Sequence, residues 1–317
     1  MNVTIIGTGA LGSFCASRLH KAGVHITLVA RSDFVTLQTK PVTIHEEETG
    51  TTYSFTPDHV VKEPSSDLPP ADYVILCTKV LPTLDRPALL RGYVTQGTSI
   101  VLLCNGMDVE EDIRTVFPEN EIISALAFIC VTRLTAGEIR YQSTARFTIG
   151  TYPSGISDKV LALANAFQSS GFNCTTTADI IAARWEKCVW NAAFNPLSVI
   201  SQGLTTLEIV GTQEEYVRAI MAEVCAVANA DGHPLPENTI NSRINFTKAM
   251  APYKTSMLLD YEEGRPMETE AILGNTVRKA ASYGVPTPHL DCLYAILKLL
   301  EVKTTSRTTP EAPSQPA

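Results

Sequence analysis

The 317-residue chain is sparing with charge and with aromatics: 18% of its residues are charged and 7% aromatic, and only two are tryptophan. Its formal net charge of -8 supplies no basic field, which disfavours nucleic acid or an acidic membrane as a partner. No apolar stretch approaches the length of a membrane span. The opening "MNVTIIGTGALG" has neither a cationic leader region nor a cleavage site, so no secretory signal is expected. The eight cysteines (15, 77, 104, 130, 174, 188, 225 and 292) include no C-x-x-C pair and no histidine at metal-ligand spacing. Three of them, Cys77, Cys104 and Cys130, lie in strand-like runs such as "YVILC", as small buried thiols of a reducing compartment do. These absences point away from a disulfide scaffold, a metal module or a membrane protein, and towards a globular protein of the cytoplasm.

What is present is enough apolar sequence, 44%, to build two ordinary cores. Up to about residue 178, strand-like runs (Val3–Ile6, His25–Val29, Tyr73–Cys77, Ser99–Leu103, Glu121–Cys130) alternate with helical or loop sequence, including helices over Ala10–Ala22 and Asp158–Ser169. This alternation predicts an α/β domain with a parallel sheet, and "GEIRYQSTARFTIGTYP" reads as a later strand pair appended to it. From 179 to 303 the pattern is helical throughout, with "NADGHPLP" and "SYGVPTPH" ending two helices by Gly and then Pro. Residues 304–317, rich in Pro, Ser and Thr, are expected to be a disordered tail.

"IIGTGALG" places Gly7, Gly9 and Gly12 in G-x-G-x-x-G spacing between a strand and a helix. Gly7 permits the tight turn, Gly9 lets backbone approach a pyrophosphate, and Gly12 lets helix pack on strand. The loop Gly7, Thr8, Gly9, Ala10, Leu11 and Gly12 is therefore the candidate cradle of a dinucleotide. Where an NAD binder normally carries an acid at the end of its second strand, this chain has Ala30, Arg31 and Ser32. A guanidinium and a hydroxyl suit a 2′-phosphate, so NADP(H) is the expected cofactor. Lys79 and Asn105 fall just after two further strands, where ligands of open α/β sheets bind. An exposed lysine and an ordinary Asn-Gly turn would look the same.

In "WEKCVWNAAFNPL", Lys187, Asn191 and Asn195 recur every four residues and share one face of a helix otherwise suited to a core. Lysine in apolar surroundings is unfavourable unless paired or used, and its readily shifted pKa fits proton transfer. Two asparagines offer donors and acceptors to a polar substrate. A solvent-facing stripe would have Glu, Lys and Gln on its flanks, whereas Cys188, Trp190, Ala192 and Phe194 surround this one. Downstream, Pro266 reads as a first helical residue, with Arg265 at the N-cap and Glu268 in the first turn, and Ser256 reads as a turn or N-cap.

Taken together and in order, "GTGALG", "TK" at 78–79, "NGM" at 105–107, "WEKCVWNAAFNPL", "TSMLLD" and "GRPMETEAILG" resemble the ketopantoate reductases (2-dehydropantoate 2-reductases) from Met1 to about Glu301. The resemblance implies an N-terminal Rossmann-type domain joined to an all-helical domain. It implies NADPH-dependent reduction of 2-dehydropantoate to (R)-pantoate in pantothenate synthesis. By that likeness Lys187 is the general acid on the 2-oxo oxygen, and Glu268 bonds the nascent hydroxyl and borders the cofactor. Asn191, Asn195 and Ser256 hold the substrate, Lys79 and Asn105 lie by nicotinamide and substrate, and Arg31 takes the 2′-phosphate. Three departures lie at the substrate end: Tyr253 where some members have Asn, Leu259 in place of Gln, and Leu273-Gly274 in place of Asn-Gly.

The expected partner is a small-molecule 2-oxo acid, without nucleic acid, membrane or metal. A homodimer is compatible with the sequence, which does not fix the oligomeric state. The alternatives are a reductase of the same family acting on another 2-oxo acid or ketone, and a non-catalytic NADP(H) sensor. Lys187 and Glu268 together argue against the sensor, which needs no proton donor.

Overall fold

The computed structural model describes residues 1–308, with the backbone alone described at 143–145 and 303–308. The elements run β1 (Asn2–Ile6), α1 (Ala10–Lys21), β2 (His25–Val29), α2 (Phe34–Thr39), β3 (Val42–Glu46), β4 (Thr51–Phe55), β5 (His59–Val61), β6 (Tyr73–Leu76), α3 (Arg86–Leu90), β7 (Ser99–Leu103), α4 (Glu111–Val116), β8 (Ile122–Thr135), β9 (Glu138–Thr151), α5 (Asp158–Ser169) and β10 (Asn173–Thr176). Helices follow: α6 (Ile180–Ile200), α7 (Thr206–Ala230), α8 (Thr239–Ala249), α9 (Ser256–Glu262), a π-helical turn (Glu270–Gly274) running into α10 (Asn275–Tyr283), and α11 (Pro288–Thr308). Two compact units result, one made of Met1–Asn105 with Val109–Ala183, the other of Gly106–Asp108 with the chain from Arg184 on. The division falls in the first turn of α6, slightly beyond the expected 178, and the short excursion at Gly106–Asp108 has no signature in the sequence.

In the first unit, β5-β2-β1-β6-β7-β8 are parallel neighbours, the 3-2-1-4-5-6 strand order of a dinucleotide-binding sheet. β6 and β7 are buried at every position, which is why they read as unbroken apolar runs. Beyond β8 the sheet becomes mixed. β9 pairs antiparallel with β8, then meets β3 along its first half and β10 along its second, and β4 closes the edge on β3. Because α1 packs against β2, β3, β4, β8 and β9 alike, the sheet must curl around it. Phe14 of α1 fills the concave side, with its ring 4.9 Å from Tyr141 and 5.4 Å from Phe172. The expected strand pair after residue 137 is a single 14-residue strand, because β8 is equally long and pairs along almost all of it.

In the second unit α6 is an unbroken 21-residue helix that contains Pro196. A capping box between Thr205 and Glu208 starts α7, and Gly232 (φ +85) and Gly284 (φ +66) follow α7 and α10 as the Gly-then-Pro signals required. α11 continues to Thr308, so residues 304–308 are helical rather than tail, and 309–317 lie outside the described residues. Among the described residues, no helix is long and apolar enough to cross a membrane and no side-chain cluster would hold a metal. All eight cysteines are free.

Candidate active site

The glycine loop is built as its spacing requires. Gly7 takes φ +103, and a Cβ on Gly12 would lie 2.0 Å from the Gly7 carbonyl oxygen, so α1 comes this close to the end of β1 only because Gly12 lacks a side chain. Gly9 differs: a Cβ there would meet no protein atom within 4 Å. Packing therefore does not explain Gly9, and open space beside an uncapped helix start fits an approaching phosphate. Gly7 abuts the backbone of Cys77 and the methyl of Thr78, which brings Lys79, next in the chain, to the same edge of the sheet.

Arg31 is exposed just past β2, but Asp33 beside it is 2% exposed. The Asp33 Oδ1 accepts from Ser32 Oγ at 2.8 Å and from Arg133 Nη2 at 2.8 Å. Its carboxylate thus faces into the fold, whereas Arg31 is exposed at this strand end. Nothing local in the sequence signals Arg133, which is separated from Asp33 by 100 residues.

In the second unit Lys187, Asn191 and Asn195 share one face of α6, with Asn191 9% and Asn195 2% exposed and Lys187 half-buried. Cys188, beside the lysine, donates its thiol towards the Ile272 carbonyl at 3.9 Å and lies 3.4 Å from Thr276 Oγ1. Burial pushes that thiol up to about 12, so it is a neutral packing group and not a nucleophile. These contacts bind α6 to the segment that follows Glu268. At the other end of the stripe, Ser198 Oγ lies 2.6 Å from Thr255 Oγ1, which binds α6 to the start of α9.

Two local expectations change. Thr255, not Ser256, caps α9, accepting from Leu258 N at 3.1 Å, which leaves Ser256 exposed in the first turn with no capping task. Glu268 does not sit in a first turn begun by Pro266: residues 265–268 are non-helical, and the Glu268 carbonyl accepts from Ile272 N at 3.1 Å as the helix begins. Arg265 is no N-cap, since its guanidinium pairs with Asp260 at 3.0 Å and with Glu263. Glu268 is 8% exposed, a carboxylate held largely out of water.

After Glu268 the chain enters a π-helical turn for which the sequence carries no local signal. Gly274 leaves room for the Glu270 carboxylate and the Arg278 guanidinium, because a Cβ there would lie 2.5 Å from Glu270 Oε2 and 3.1 Å from both terminal nitrogens of Arg278. Glu270 in turn accepts from Tyr294 OH at 2.7 Å and pairs with Arg278 and Lys298, both at 2.9 Å. Partial burial pushes its carboxyl up, but the hydrogen bonds from Lys298, Tyr294 and Arg278 outweigh this and bring it down to about 2. The same turn holds Gly106–Asp108: Met107 N donates to Ala271 O at 2.9 Å, and Asn275 Nδ2 donates to Met107 O at 2.6 Å. Gly106, directly after Asn105, takes φ +104 with its Cα against Ala271, where any Cβ would clash at 2.6 Å.

Of the departures noted above, Leu273 is fully buried, and Tyr253 packs on Trp190 with ring centroids 6.3 Å apart.

Known proteins resemble this chain along nearly its whole length. Residues 3–154 match the family described as ketopantoate reductase PanE/ApbA, and residues 179–301 match its C-terminal part. A 2-dehydropantoate 2-reductase of Nostoc sp. is 33% identical over 303 residues, which span 94% of each chain. Among solved structures, the 2-dehydropantoate 2-reductase from Methylococcus capsulatus has a TM-score of 0.91 at 49% identity, covering 96% of this chain and 98% of that one. The corresponding protein from Geobacter metallireducens GS-15 has a TM-score of 0.88 at 30% identity, covering 94% and 99%. Motifs, fold and likenesses agree: the chain belongs to the ketopantoate reductase family of pyridine-nucleotide-dependent oxidoreductases.

Proposed function

We propose that the protein reduces 2-dehydropantoate to (R)-pantoate with NADPH, as a cytoplasmic step of pantothenate synthesis. The observation that carries this reading is the polar face of α6, where two buried asparagines stand in line with Lys187. When bound, the cofactor supplies a hydride for the C2 carbonyl carbon. The Lys187 ammonium donates a proton to the 2-oxo oxygen as negative charge gathers there, and its positive charge stabilises that charge. Glu268 accepts a hydrogen bond from the hydroxyl so formed. Asn191, Asn195 and Ser256 hold the substrate, with amide N–H and hydroxyl groups donating to its carboxylate and amide oxygens accepting from its hydroxyl. Lys79 and Asn105 attend the nicotinamide end, backbone N–H groups of the glycine loop bind the pyrophosphate, and Arg31 receives the 2′-phosphate.

A second reading keeps the chemistry and changes the substrate to another 2-oxo acid or ketone; the apolar packing of Tyr253 on Trp190 favours it. NADPH oxidation measured with ketopantoate and with a panel of 2-oxo acids and ketones separates the two. Turnover of ketopantoate above the panel is expected. Turnover of another ketone alone would replace the substrate, and no oxidation with any of them would leave a nucleotide sensor.

A further inference from the structure

Asp33 sits at the N-cap of α2, yet its side chain makes no capping hydrogen bond. An aspartate at a helix start ordinarily gives an oxygen to the backbone N–H groups there. Here Oδ1 takes both Ser32 Oγ and Arg133 Nη2, and Oδ2 is buried without a hydrogen bond among the described residues. A carboxylate so deeply buried is tolerable only with a cationic partner, so Arg133 is held firmly. The partnership is one-sided, because the Arg133 side chain remains 40% exposed against 2% for Asp33. One nitrogen of the fork is committed, and the guanidinium has donors left for a ligand.

The curl of the sheet explains how a β8 residue arrives at this strand end. Arg133 faces Ile139 in the β8–β9 ladder, and directly opposed residues of antiparallel strands project to the same side. Ile139 is fully buried in the core cluster that also contains Leu37 of α2, and a Cβ on Gly137 at the hairpin tip would lie 3.2 Å from Leu37 Cδ2. The hairpin therefore rests on α2, and its arginine comes to the loop that carries Arg31 and Ser32.

We propose that Arg133, held in place by Asp33, is a second cation for the 2′-phosphate of NADP(H), acting with Arg31 across the β2–α2 loop. This rests on the NADP(H) reading given above. A phosphate monoester carries nearly two charges, and a single exposed arginine grips it weakly. Two forked guanidinium groups match its charge and its oxygens. Arg133 is then a cofactor-binding residue, and Asp33 is a positioning residue that acts through it.

The test is calorimetric binding of 2′,5′-ADP and of 5′-AMP to the full chain, with the ligand-free melting temperature recorded for each variant. Wild type should prefer the 2′-phosphorylated ligand. Arg133→Gln should reduce that preference about tenfold or more while leaving 5′-AMP affinity unchanged, and Arg133→Lys should restore part of it. Asp33→Asn should show a smaller loss of the same kind; if that variant does not fold, the two Arg133 variants decide. An Arg133→Gln protein that melts lower but keeps the full preference, when Arg31→Gln has lost its own, would reduce the Asp33–Arg133 pair to a structural tie and overturn the proposal. Absence of any preference in wild type would instead overturn the NADP(H) reading, and this proposal with it.

Discussion

Gly9 and Gly12 stand in one motif for different physical reasons, and alanine at each separates them. A Cβ at Gly12 would lie 2.0 Å from the Gly7 carbonyl oxygen, where real Cβ contacts stay above 3.0 Å. Strand and helix would have to part by about 1 Å, and overpacking of this kind costs about 1–3 kcal/mol. In a domain of this size each kcal/mol moves the melting temperature by roughly 2–4 °C, so Gly12→Ala should melt roughly 2–12 °C lower without any ligand. Gly9 has φ -70 and ψ -170, extended backbone open to any residue, and its Cβ would meet no protein atom. Gly9→Ala should therefore melt within about 2 °C of wild type, with its defect appearing only when nucleotide is added. Thermal unfolding with and without NADPH, together with a fluorescence titration of the nucleotide, reads both effects. We expect Gly9→Ala to bind NADPH about tenfold more weakly or worse, and Gly12→Ala to lose both stability and binding. Wild-type affinity in Gly9→Ala would refute the loop as a phosphate cradle, and wild-type stability in Gly12→Ala would refute the packing argument.

Lys187→Ala should lower kcat by roughly 10²–10⁴ with NADPH affinity nearly unchanged, and normal turnover would remove its role as acid. Arg31→Ala should weaken NADPH binding far more than NADH binding, whereas equal losses would undo the 2′-phosphate assignment. Glu270 carries a stability effect whose sign is fixed: its folded pKa, about 2, lies below the ordinary 4.5. The stabilisation it gives is present above the ordinary value and fades as pH falls towards the folded one. Between about pH 5 and 3, wild type should therefore lose about 1–2 kcal/mol more stability than Glu270→Gln in denaturant titrations. Parallel acid slopes for the two proteins would be inconsistent with the paired carboxylate.

The parallel half of the sheet was legible because buried strands read as continuous apolar runs: "YVIL" and "SIVLL" have no polar face to hide them. The β3–β4 hairpin was not, since Thr51–Phe55 buries only Phe55 and looks like a loop until β3 pairs with β9. Lys187, Asn191 and Asn195 could be found because helical spacing is local information. Asp33 with Arg133, and Gly106 with Ala271, could not, because each pairing joins residues far apart in the chain through the fold itself. Glu268 lies before the helical turn in which its spacing from Pro266 places it. The π turn that follows it carries Glu270, whose carboxylate is held by Lys298 and Tyr294, residues that no helix-start rule consults.

The helix that carries Lys187 is held at nearly every position around that residue. Trp185 donates its indole N–H to Asp231 at 2.9 Å, Glu186 pairs with Arg243, Cys188 meets Thr276, and Trp190 donates to Thr247 Oγ1 at 3.0 Å. These anchors come from the end of α7, from α8 and from α10, so α6 can neither roll nor slide without breaking several of them. Asp231 does more than hold one ring. It also binds Lys279 at 2.9 Å and Tyr283 at 2.7 Å, and Lys279 reaches on to Asp108 at 3.2 Å. Partial burial raises the Asp231 carboxyl, but the bonds from Tyr283, Lys279 and Trp185 outweigh it and keep the group below its ordinary range. A single carboxylate thus fixes both the start of the helix bearing Lys187 and, through Lys279, the three-residue segment that begins directly after Asn105. If Lys187 is the proton donor proposed above, such anchoring fixes the groups around it before substrate arrives. Losing Asp231 would therefore not cost one hydrogen bond; it would release Trp185 and Lys279 together, and with them the anchoring of α6 and of Gly106–Asp108.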